Sequence, residues 1–265
     1  MYDMELELIR KIAEDLYEAE MSHSKIEKLT VAYPGITVDD AYRIQLEANQ
    51  LKEAAGDVIV GKKIGLTSNA MRKRAGIKEP DYGTLFAGNM HSTEVPLSMK
   101  DLVQPLVESE IAFVLKKDLR GPAVTPAEVL AATEGIMCAF EIVDCRYTDF
   151  KVGLPDTIAD NASCGKIILG TKLVPVDNLD MRTIGLVLER NGEVIDLSAS
   201  ASVMGNPAEA VAWLANKISA FGMYLKAGEI VMSGSFTDTH PVEPGDNFAA
   251  YFGNGVGNVK IKFTE

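Results

Sequence analysis

Apolar side chains recur at helical spacing through the first part of the chain. In residues 3–19 they fall every three or four positions and predict an amphipathic helix. After a break at Pro34-Gly35, a second stripe runs from a capping Thr37 to a terminating Gly56. We therefore expect a helical N-terminal arm over residues 1–56. It should pack on a core formed by residues 57–265, with both parts in one structural unit.

Beyond Gly56 the pattern changes to short apolar runs separated by turn residues, which is typical of strands. A hairpin is predicted at Asn191-Gly192, the dipeptide most favoured in two-residue hairpin turns. Turn chemistry is also expected over residues 79–83. The predicted strands cover residues 58–64, 107–115, 137–143, 186–190, 193–197, 229–233, 247–252 and 259–263.

Two further helices are marked by their capping residues. One should begin after Thr125 and end at Gly135, and the other should begin after Asn206 and end at Gly222. Helices are few and are not regularly interleaved with strands, which argues against a doubly wound parallel sheet. The sequence therefore predicts one α+β domain.

Composition and charge exclude several classes of protein. Hydrophobic residues make up 47% and charged residues 24% of the 265 positions, which is typical of a folded protein and not of a disordered one. No uninterrupted apolar run is long enough to span a membrane, and residues 1–10 lack the features of a secretory signal. The formal net charge of −12 disfavours nucleic acid as a partner. Three cysteines without a CxxC pair predict reduced thiols and a cytoplasmic location.

Three glutamates stand out on two predicted strands. Because strand side chains alternate, Glu108 and Glu110 should point to the same face of the sheet. Glu141 lies among apolar residues of another strand, where an unpaired charge would be costly. A hard divalent cation such as Mg²⁺ or Mn²⁺ would accept oxygens from all three carboxylates. The alternative is a solvated strand face that carries its charges into water.

A second group of candidates surrounds the strand that precedes the predicted turn. Lys62 and Lys63 stand in this strand, where a lysine could hold a substrate carboxylate or could be ordinary surface charge. Asp81 could transfer a proton or could cap the turn. The Ser233-Gly234-Ser235 segment could offer backbone N–H groups to an anion. Residues 253–257 are glycine-rich, but no helix follows them, so they do not predict dinucleotide binding.

The order of these segments closely resembles the 2-keto-4-pentenoate hydratase / 4-oxalocrotonate decarboxylase family of the fumarylacetoacetate hydrolase superfamily. The resemblance covers nearly the whole chain. It rests on five segments: Lys63-Ile64-Gly65-Leu66-Thr67-Ser68, Glu79-Pro80-Asp81-Tyr82-Gly83, Glu108-Ser109-Glu110, Glu141-Ile142-Val143-Asp144 and Ala159-Asp160-Asn161-Ala162-Ser163.

This resemblance implies a mixed β-roll with a helical N-terminal region, and a homo-oligomer that acts on a small 2-oxo or 2-hydroxy dienoate in aromatic catabolism. It also implies a role for each matching residue. The metal ligands for Mg²⁺ or Mn²⁺ would be Glu108, Glu110 and Glu141. The catalytic residues would be Lys63 and Asp81, and the substrate-binding residues would be Ser163 and Ser235.

The resemblance leaves several activities open. Asp81 favours a hydratase of 2-hydroxypenta-2,4-dienoate or a similar compound. Residues 146–151 and 245–247 are more similar to the decarboxylases, and residues 235–237 to hydratases of longer dicarboxylate dienoates. A C–C hydrolase of acylpyruvates would need a water-activating His/Glu pair, which we do not identify in the sequence. A catalytically silent partner subunit of a pathway enzyme is the remaining alternative, although the intact glutamates argue against it.

Overall fold

The computed structural model describes residues 4–265, apart from the side chains at positions 71, 74 and 75. Its long N-terminal helices pack against each other. Within the described range no helix is both long and apolar enough to cross a membrane. The helices are α1 (Leu6–Met21), α2 (Leu29–Ala32), α3 (Val38–Ala54), α4 (Asn69–Ala75), α5 (Pro126–Ala132), α6 (Leu154–Ala159) and α7 (Pro207–Ser219).

The strands of residues 4–265 form two sheets. They are β1 (Ile59–Gly65), β2 (Asp81–Phe86), β3 (Met90–His91), β4 (Leu97–Ser98), β5 (Pro105–Leu115), β6 (Thr133–Asp144), β7 (Cys164–Leu169), β8 (Gly185–Arg190), β9 (Glu193–Ala199), β10 (Ile230–Met232), β11 (His240–Pro241), β12 (Asn247–Phe252) and β13 (Gly257–Thr264). The larger sheet has the order β2-β1-β10-β5-β6-β7-β3, with β11 paired to β5, and the smaller has the order β4-β13-β12-β8-β9.

The larger sheet curls into a roll. Strands β2 and β7 stand far apart in the strand order, yet they contact each other, so the two ends of the sheet approach. One face of the sheet encloses a small apolar cluster that includes Leu85, Ala112, Ala139 and Met232. The opposite face belongs to the main core, and β13 of the smaller sheet lies against β6 and β7. The enclosed face is the one on which the charged candidates are found.

Helix α3 joins the N-terminal region to the roll. Thr37 caps its start, as the sequence predicts, and the structure adds a reciprocal capping box with Asp40. Farther along, the Gln45 amide donates hydrogen bonds of 2.8 Å to the carbonyls of Tyr82 and Ile158. One helical side chain therefore connects α3 to both β2 and α6. The boundary at residue 56 between arm and core stays a prediction.

Most predicted elements are confirmed, and two boundaries are wrong. Residues 81–83 are not a turn, because they begin β2 and pair with residues 63–65 of β1. The helix after Thr125 ends at Ala132 and not at Gly135, because Thr133 and Gly135 pair with β5. In both places tertiary pairing overrides a local signal. The first predicted helix begins at Leu6 where the structure shows it, and Asp3 lies outside the described residues.

Candidate active site

Three glutamates converge inside the roll. Glu108 of β5 pairs directly with Glu141 of β6 across the antiparallel ladder, and Glu110 follows two residues later on the same face. One carboxylate oxygen from each of the three lies within 4.8 Å of the other two. The side chains of Glu110 and Glu141 are fully buried, and Glu108 is half-buried. Strand alternation and ladder register together therefore produce a compact cluster of carboxylates.

Several oxygens of this cluster lack a partner. Glu110 Oε2 accepts a 2.8 Å hydrogen bond from the Gly234 N–H, and Glu141 Oε1 lies 3.1 Å from Lys63 Nζ. Glu110 Oε1 and Glu141 Oε2 have no hydrogen-bond partner in the described part of the chain. Buried carboxylate oxygens are rarely left without a partner. These two oxygens are therefore available to a ligand.

Burial and mutual repulsion disfavour the charged forms of all three glutamates. Burial, together with repulsion from Glu141, raises the pKa of Glu108 to about 7. The same two causes raise the pKa of Glu110 well above its ordinary value. Burial also raises the pKa of Glu141, although the nearby Lys63 opposes this shift. A cation bound among the three would favour their charged forms.

Lys63 extends from β1 into the same space. Its Nζ donates a 2.9 Å hydrogen bond to the carbonyl of Ala162 and forms the ion pair with Glu141. Burial disfavours the charge, but Glu141 and Asp81 outweigh this effect and raise the pKa of Lys63 above its ordinary value. The ammonium group is therefore held charged in a fixed position. Lys62 points to the opposite face of the sheet, as strand alternation requires.

Asp81 occupies the first position of β2, beside Lys63. Its Oδ2 accepts a 2.9 Å hydrogen bond from the Thr157 hydroxyl, and its Oδ1 makes no hydrogen bond with the described residues. Burial raises the pKa of Asp81, and Lys63 opposes the shift. The space for Oδ1 exists because residue 65 is glycine. A Cβ at Gly65 would lie 2.1 Å from Asp81 Oδ1 and 3.5 Å from Lys63 Nζ.

The two predicted substrate-binding serines each follow, in sequence, a residue whose backbone contacts this cluster. Ser163 immediately follows the carbonyl that receives Lys63, and its hydroxyl donates a 3.0 Å hydrogen bond to Asp160. Ser235 follows Gly234, whose N–H binds Glu110. The Ser235 hydroxyl is buried, has no hydrogen-bond partner among the described residues, and lines a cavity of about 220 Å³. Substrate contact by either serine stays a prediction.

The donor set fits a hard divalent cation. When all its groups are ionised, the site carries a net charge of −3, and most of the charged groups are deeply buried. The charge comes from four carboxylates and one ammonium group, those of Asp81, Glu108, Glu110, Glu141 and Lys63. Such a charge is costly in a protein interior without compensation. Carboxylate oxygens are preferred ligands of Mg²⁺ and Mn²⁺. The unpartnered oxygens of Glu110 and Glu141 therefore match the chemistry that such an ion requires.

Three residues support the site through contacts that the sequence pattern does not specify. Gly65 provides the space for Asp81, and Thr157 orients it from α6. Gly234 does offer its N–H to an anion, as the sequence predicts for this turn, but the anion is the Glu110 carboxylate of the protein itself. The glycine and the Ser-Gly-Ser turn were visible in the sequence. Their partners depend on strand pairing, which the sequence pattern does not specify.

Comparison with known proteins extends this description. Residues 64–264 match the model of the fumarylacetoacetate (FAA) hydrolase C-terminal family. The chain is 43% identical over 252 residues to a 2-hydroxyhexa-2,4-dienoate hydratase from Comamonas testosteroni, covering 94% of this chain and 95% of that protein. It is 40% identical over 252 residues to a 4-oxalocrotonate decarboxylase from Pseudomonas sp. strain CF600, with 95% of each chain covered.

A solved structure is similar over almost the entire chain. The 4-oxalocrotonate decarboxylase from Pseudomonas putida G7, complexed with magnesium and adipate, has a TM-score of 0.96 and 36% sequence identity. The match covers 99% of this chain and 100% of that one. The mixed β-roll with a helical N-terminal region is thereby confirmed as the fold.

Proposed function

Because the chain belongs to the fumarylacetoacetate hydrolase C-terminal family, we propose that it is a divalent-metal-dependent lyase that hydrates a 2-hydroxy-2,4-dienoate. The observation that carries this proposal is the placement of Lys63 and Asp81 beside the cluster of Glu108, Glu110 and Glu141. A hydration needs stabilisation of charge on the substrate's oxygens and a group that moves protons. Both requirements have a candidate in this cluster.

Glu108, Glu110 and Glu141 would hold the cation, which we propose to be Mg²⁺ or Mn²⁺. When bound, such an ion supplies Lewis-acid stabilisation of negative charge on substrate oxygens. The presence of magnesium in the similar decarboxylase structure supports a divalent ion. The protein's own contribution is to fix the three carboxylates on neighbouring strands, with Gly234 orienting Glu110 through its N–H.

Lys63 would bind and orient the substrate. An ammonium group has three N–H donors, and two of them are directed to the Ala162 carbonyl and to Glu141. The third is then available to an oxygen of the substrate. Because the ammonium is buried and already fixed by two acceptors, little reorganisation is needed when negative charge develops on that oxygen.

Asp81 would carry protons at its Oδ1. Hydration of 2-hydroxypenta-2,4-dienoate first moves a proton from the enol oxygen to C5, which gives a 2-oxo-3-enoate. Water then adds across the remaining double bond, with its hydroxyl on C4 and its proton on C3. Thr157 holds Oδ2 of Asp81, so Oδ1 is the oxygen available for one of these transfers. The raised pKa of Asp81 brings this carboxyl closer to the range in which it can both accept and release a proton.

Decarboxylation of 2-oxo-3-hexenedioate is the second candidate, because decarboxylases are among the similar proteins. The same charge-stabilising groups would serve the carbanion left after loss of CO₂. That reaction does not require water to be added at C4. Loss of CO₂ leaves a dienolate that takes one proton on its oxygen, whereas hydration moves protons to two carbon atoms. A buried, unpartnered carboxylate oxygen next to Lys63 suits these additional proton transfers, and we therefore favour hydration.

Product analysis with added Mg²⁺ or Mn²⁺ tests the proposal. The protein would be offered 2-hydroxypenta-2,4-dienoate and, in a separate reaction, 2-oxo-3-hexenedioate. We expect formation of 4-hydroxy-2-oxopentanoate from the dienoate, and loss of this product in Asp81→Asn. Release of CO₂ from the dicarboxylate without hydration of the dienoate would show that the protein is a decarboxylase and that Asp81 has another role.

A further inference from the structure

Three consecutive non-glycine residues adopt the left-handed backbone conformation beside the proposed active site. The φ angles of Asn161, Ala162 and Ser163 are +52°, +50° and +53°. For residues with a Cβ, this conformation is sterically disfavoured, because the Cβ approaches the following carbonyl oxygen. Such a segment persists only where its surroundings enforce it. The contacts that enforce it are therefore expected to matter for whatever the segment positions.

The left-handed segment positions the lysine of the site. The carbonyl of Ala162 accepts the 2.9 Å hydrogen bond from Lys63 Nζ. On the other side, the Asn161 side chain accepts a hydrogen bond from the Thr84 N–H and donates one to the Thr84 carbonyl. The segment is thus tied to β2, while its central carbonyl is presented to Lys63. A change in its backbone conformation would move that carbonyl and leave Glu141 alone to hold the ammonium.

A buried ion pair holds the segment from behind. Arg146 Nε lies 2.6 Å from Asp160 Oδ1, and both side chains are almost completely buried. The two terminal nitrogens of Arg146 donate to the carbonyls of Asp144, Cys164 and Asp160. One guanidinium therefore ties together the end of β6, the start of β7 and the residue that precedes the left-handed segment.

Asp160 also fixes the last residue of the segment. Its Oδ2 accepts hydrogen bonds from the Ser163 hydroxyl at 3.0 Å and from the backbone N–H of Arg146 at 3.2 Å. Burial raises the pKa of Asp160 to about 6, and Arg146 opposes a larger rise. An ionised carboxylate can only accept hydrogen bonds, so the proton of Ser163 is directed toward Asp160.

We infer that Arg146 and Asp160 are positioning residues of the active site, which hold the left-handed segment 161–163 so that the Ala162 carbonyl fixes Lys63. This inference rests on the proposed function, since it assigns the pair an effect on that reaction. The two residues would then affect catalysis as well as the stability of the core, although neither needs to touch the substrate.

The first test is Asp160→Asn, which keeps the size of the side chain but removes its charge. A matched control is Asp246→Asn, because Asp246 is also buried and also pairs with an arginine, Arg190 at 2.7 Å, in the smaller sheet. We expect kcat to fall about 10- to 100-fold in Asp160→Asn, with Mn²⁺ affinity within about threefold of the parent. Asp246→Asn should lose stability but keep its kcat. If Asp160→Asn does not fold, Arg146→Lys is the milder variant, and we expect an intermediate loss of kcat.

A double-mutant cycle distinguishes positioning from general destabilisation. We would measure binding of 2-oxopentanoate, a saturated analogue that cannot be hydrated, by calorimetry at saturating Mg²⁺. Because the pair acts through Lys63, Asp160→Asn should weaken binding in the parent but have little further effect in a Lys63→Met background. Equal effects of Asp160→Asn in both backgrounds, or a folded Asp160→Asn protein with parental kcat, would overturn the inference.

The proposed function and the inference fail in different ways. If the parent protein binds 2-oxopentanoate with Mg²⁺ but hydrates no dienoate, the proposed function is wrong and the binding cycle still decides the inference. If the parent neither binds 2-oxopentanoate nor hydrates the dienoate, both are wrong. If the parent hydrates the dienoate but the cycle is additive, the inference alone is wrong.

Discussion

Replacing Gly65 by alanine should displace Asp81 and leave the glutamate cluster in place. A Cβ at position 65 would lie 2.1 Å from Asp81 Oδ1, whereas ordinary contacts begin at 3.4 Å, so the carboxylate must retreat by about 1.3 Å. Lys63 Nζ lies 3.5 Å from the same point and need not move. A misplacement of about 1 Å at a reacting group can cost roughly 100-fold in rate. We therefore expect kcat for dienoate hydration to fall about 100-fold in Gly65→Ala.

The stability cost of this substitution should be small by comparison. Gly65 is not one of the glycines with positive φ, so alanine can adopt its backbone conformation. Alanine is favoured over glycine in a strand by about 0.5–1 kcal/mol, which offsets part of the cost of moving Asp81. Gly185→Ala is a matched control, because Gly185 also lies in a strand without positive φ and an added Cβ there would meet nothing within 4 Å. The control should keep its kcat, and its Tm should stay the same or rise slightly.

The assay separates a displaced proton carrier from a damaged metal site. Steady-state hydration at saturating Mg²⁺ gives kcat and KM, and a Mn²⁺ titration gives the metal affinity, which should stay within about threefold of the parent. If Gly65→Ala acts through Asp81, then adding it to Asp81→Asn should cause little further loss, because the two changes remove the same function. The reasoning would be refuted by a folded Gly65→Ala protein with parental kcat, or by additive losses in the double variant.

Three further predictions address the glutamates, the cation and the N-terminal region. Glu108→Gln should lower both Mn²⁺ affinity, measured by calorimetry, and kcat at least about tenfold. The metal-free variant should nevertheless unfold at the same or a higher urea concentration than the parent, because repulsion between residue 108 and Glu141 is relieved. Mg²⁺ at about 100 times its Kd should raise the free energy of unfolding by about 2.7 kcal/mol, and chelation should reverse the accompanying rise in Tm, whereas an unchanged Tm would argue against binding at a structured site. Burial tends to raise the pKa of Asp40, but hydrogen bonds from Thr37 outweigh burial and lower this pKa below 3.8. The ionised carboxylate therefore stabilises the fold above pH 3.8, and this stabilisation is lost as the pH falls through the lowered pKa. Asp40→Asn should therefore cost about 1 kcal/mol at pH 7 in urea unfolding, and the difference should shrink as the pH falls below 3.8.

The sequence predicts which residues share a face more reliably than it predicts which residues meet. Alternation along one strand was sufficient to place Glu108 and Glu110 together, because the side-chain period of a strand is fixed. The pairing of Glu108 with Glu141 depends on the register between β5 and β6, which the 17 residues of intervening chain (116–132) do not specify. The sequence suggests Glu141 as a third ligand only because an unpaired charge among apolar neighbours would be costly, and the family resemblance implies the same role.

Asp81 shows why the remainder of the site is not readable from local pattern. Pro80 and Gly83 around it are strong turn residues, and a turn would leave Asp81 in solvent as a backbone cap. In the structure the segment is instead the edge strand of the roll, and Asp81 pairs with Gly65. Closing the roll removes that strand from water and brings the carboxylate to Lys63. The same closure makes Gly83 necessary, since a Cβ there would lie 2.4 Å from the carbonyl of Asn161. Gly83, which is typical of a turn in the sequence, therefore permits the left-handed segment to approach β2. Local propensity is misleading here because a tertiary contact, and not a turn, requires the glycine.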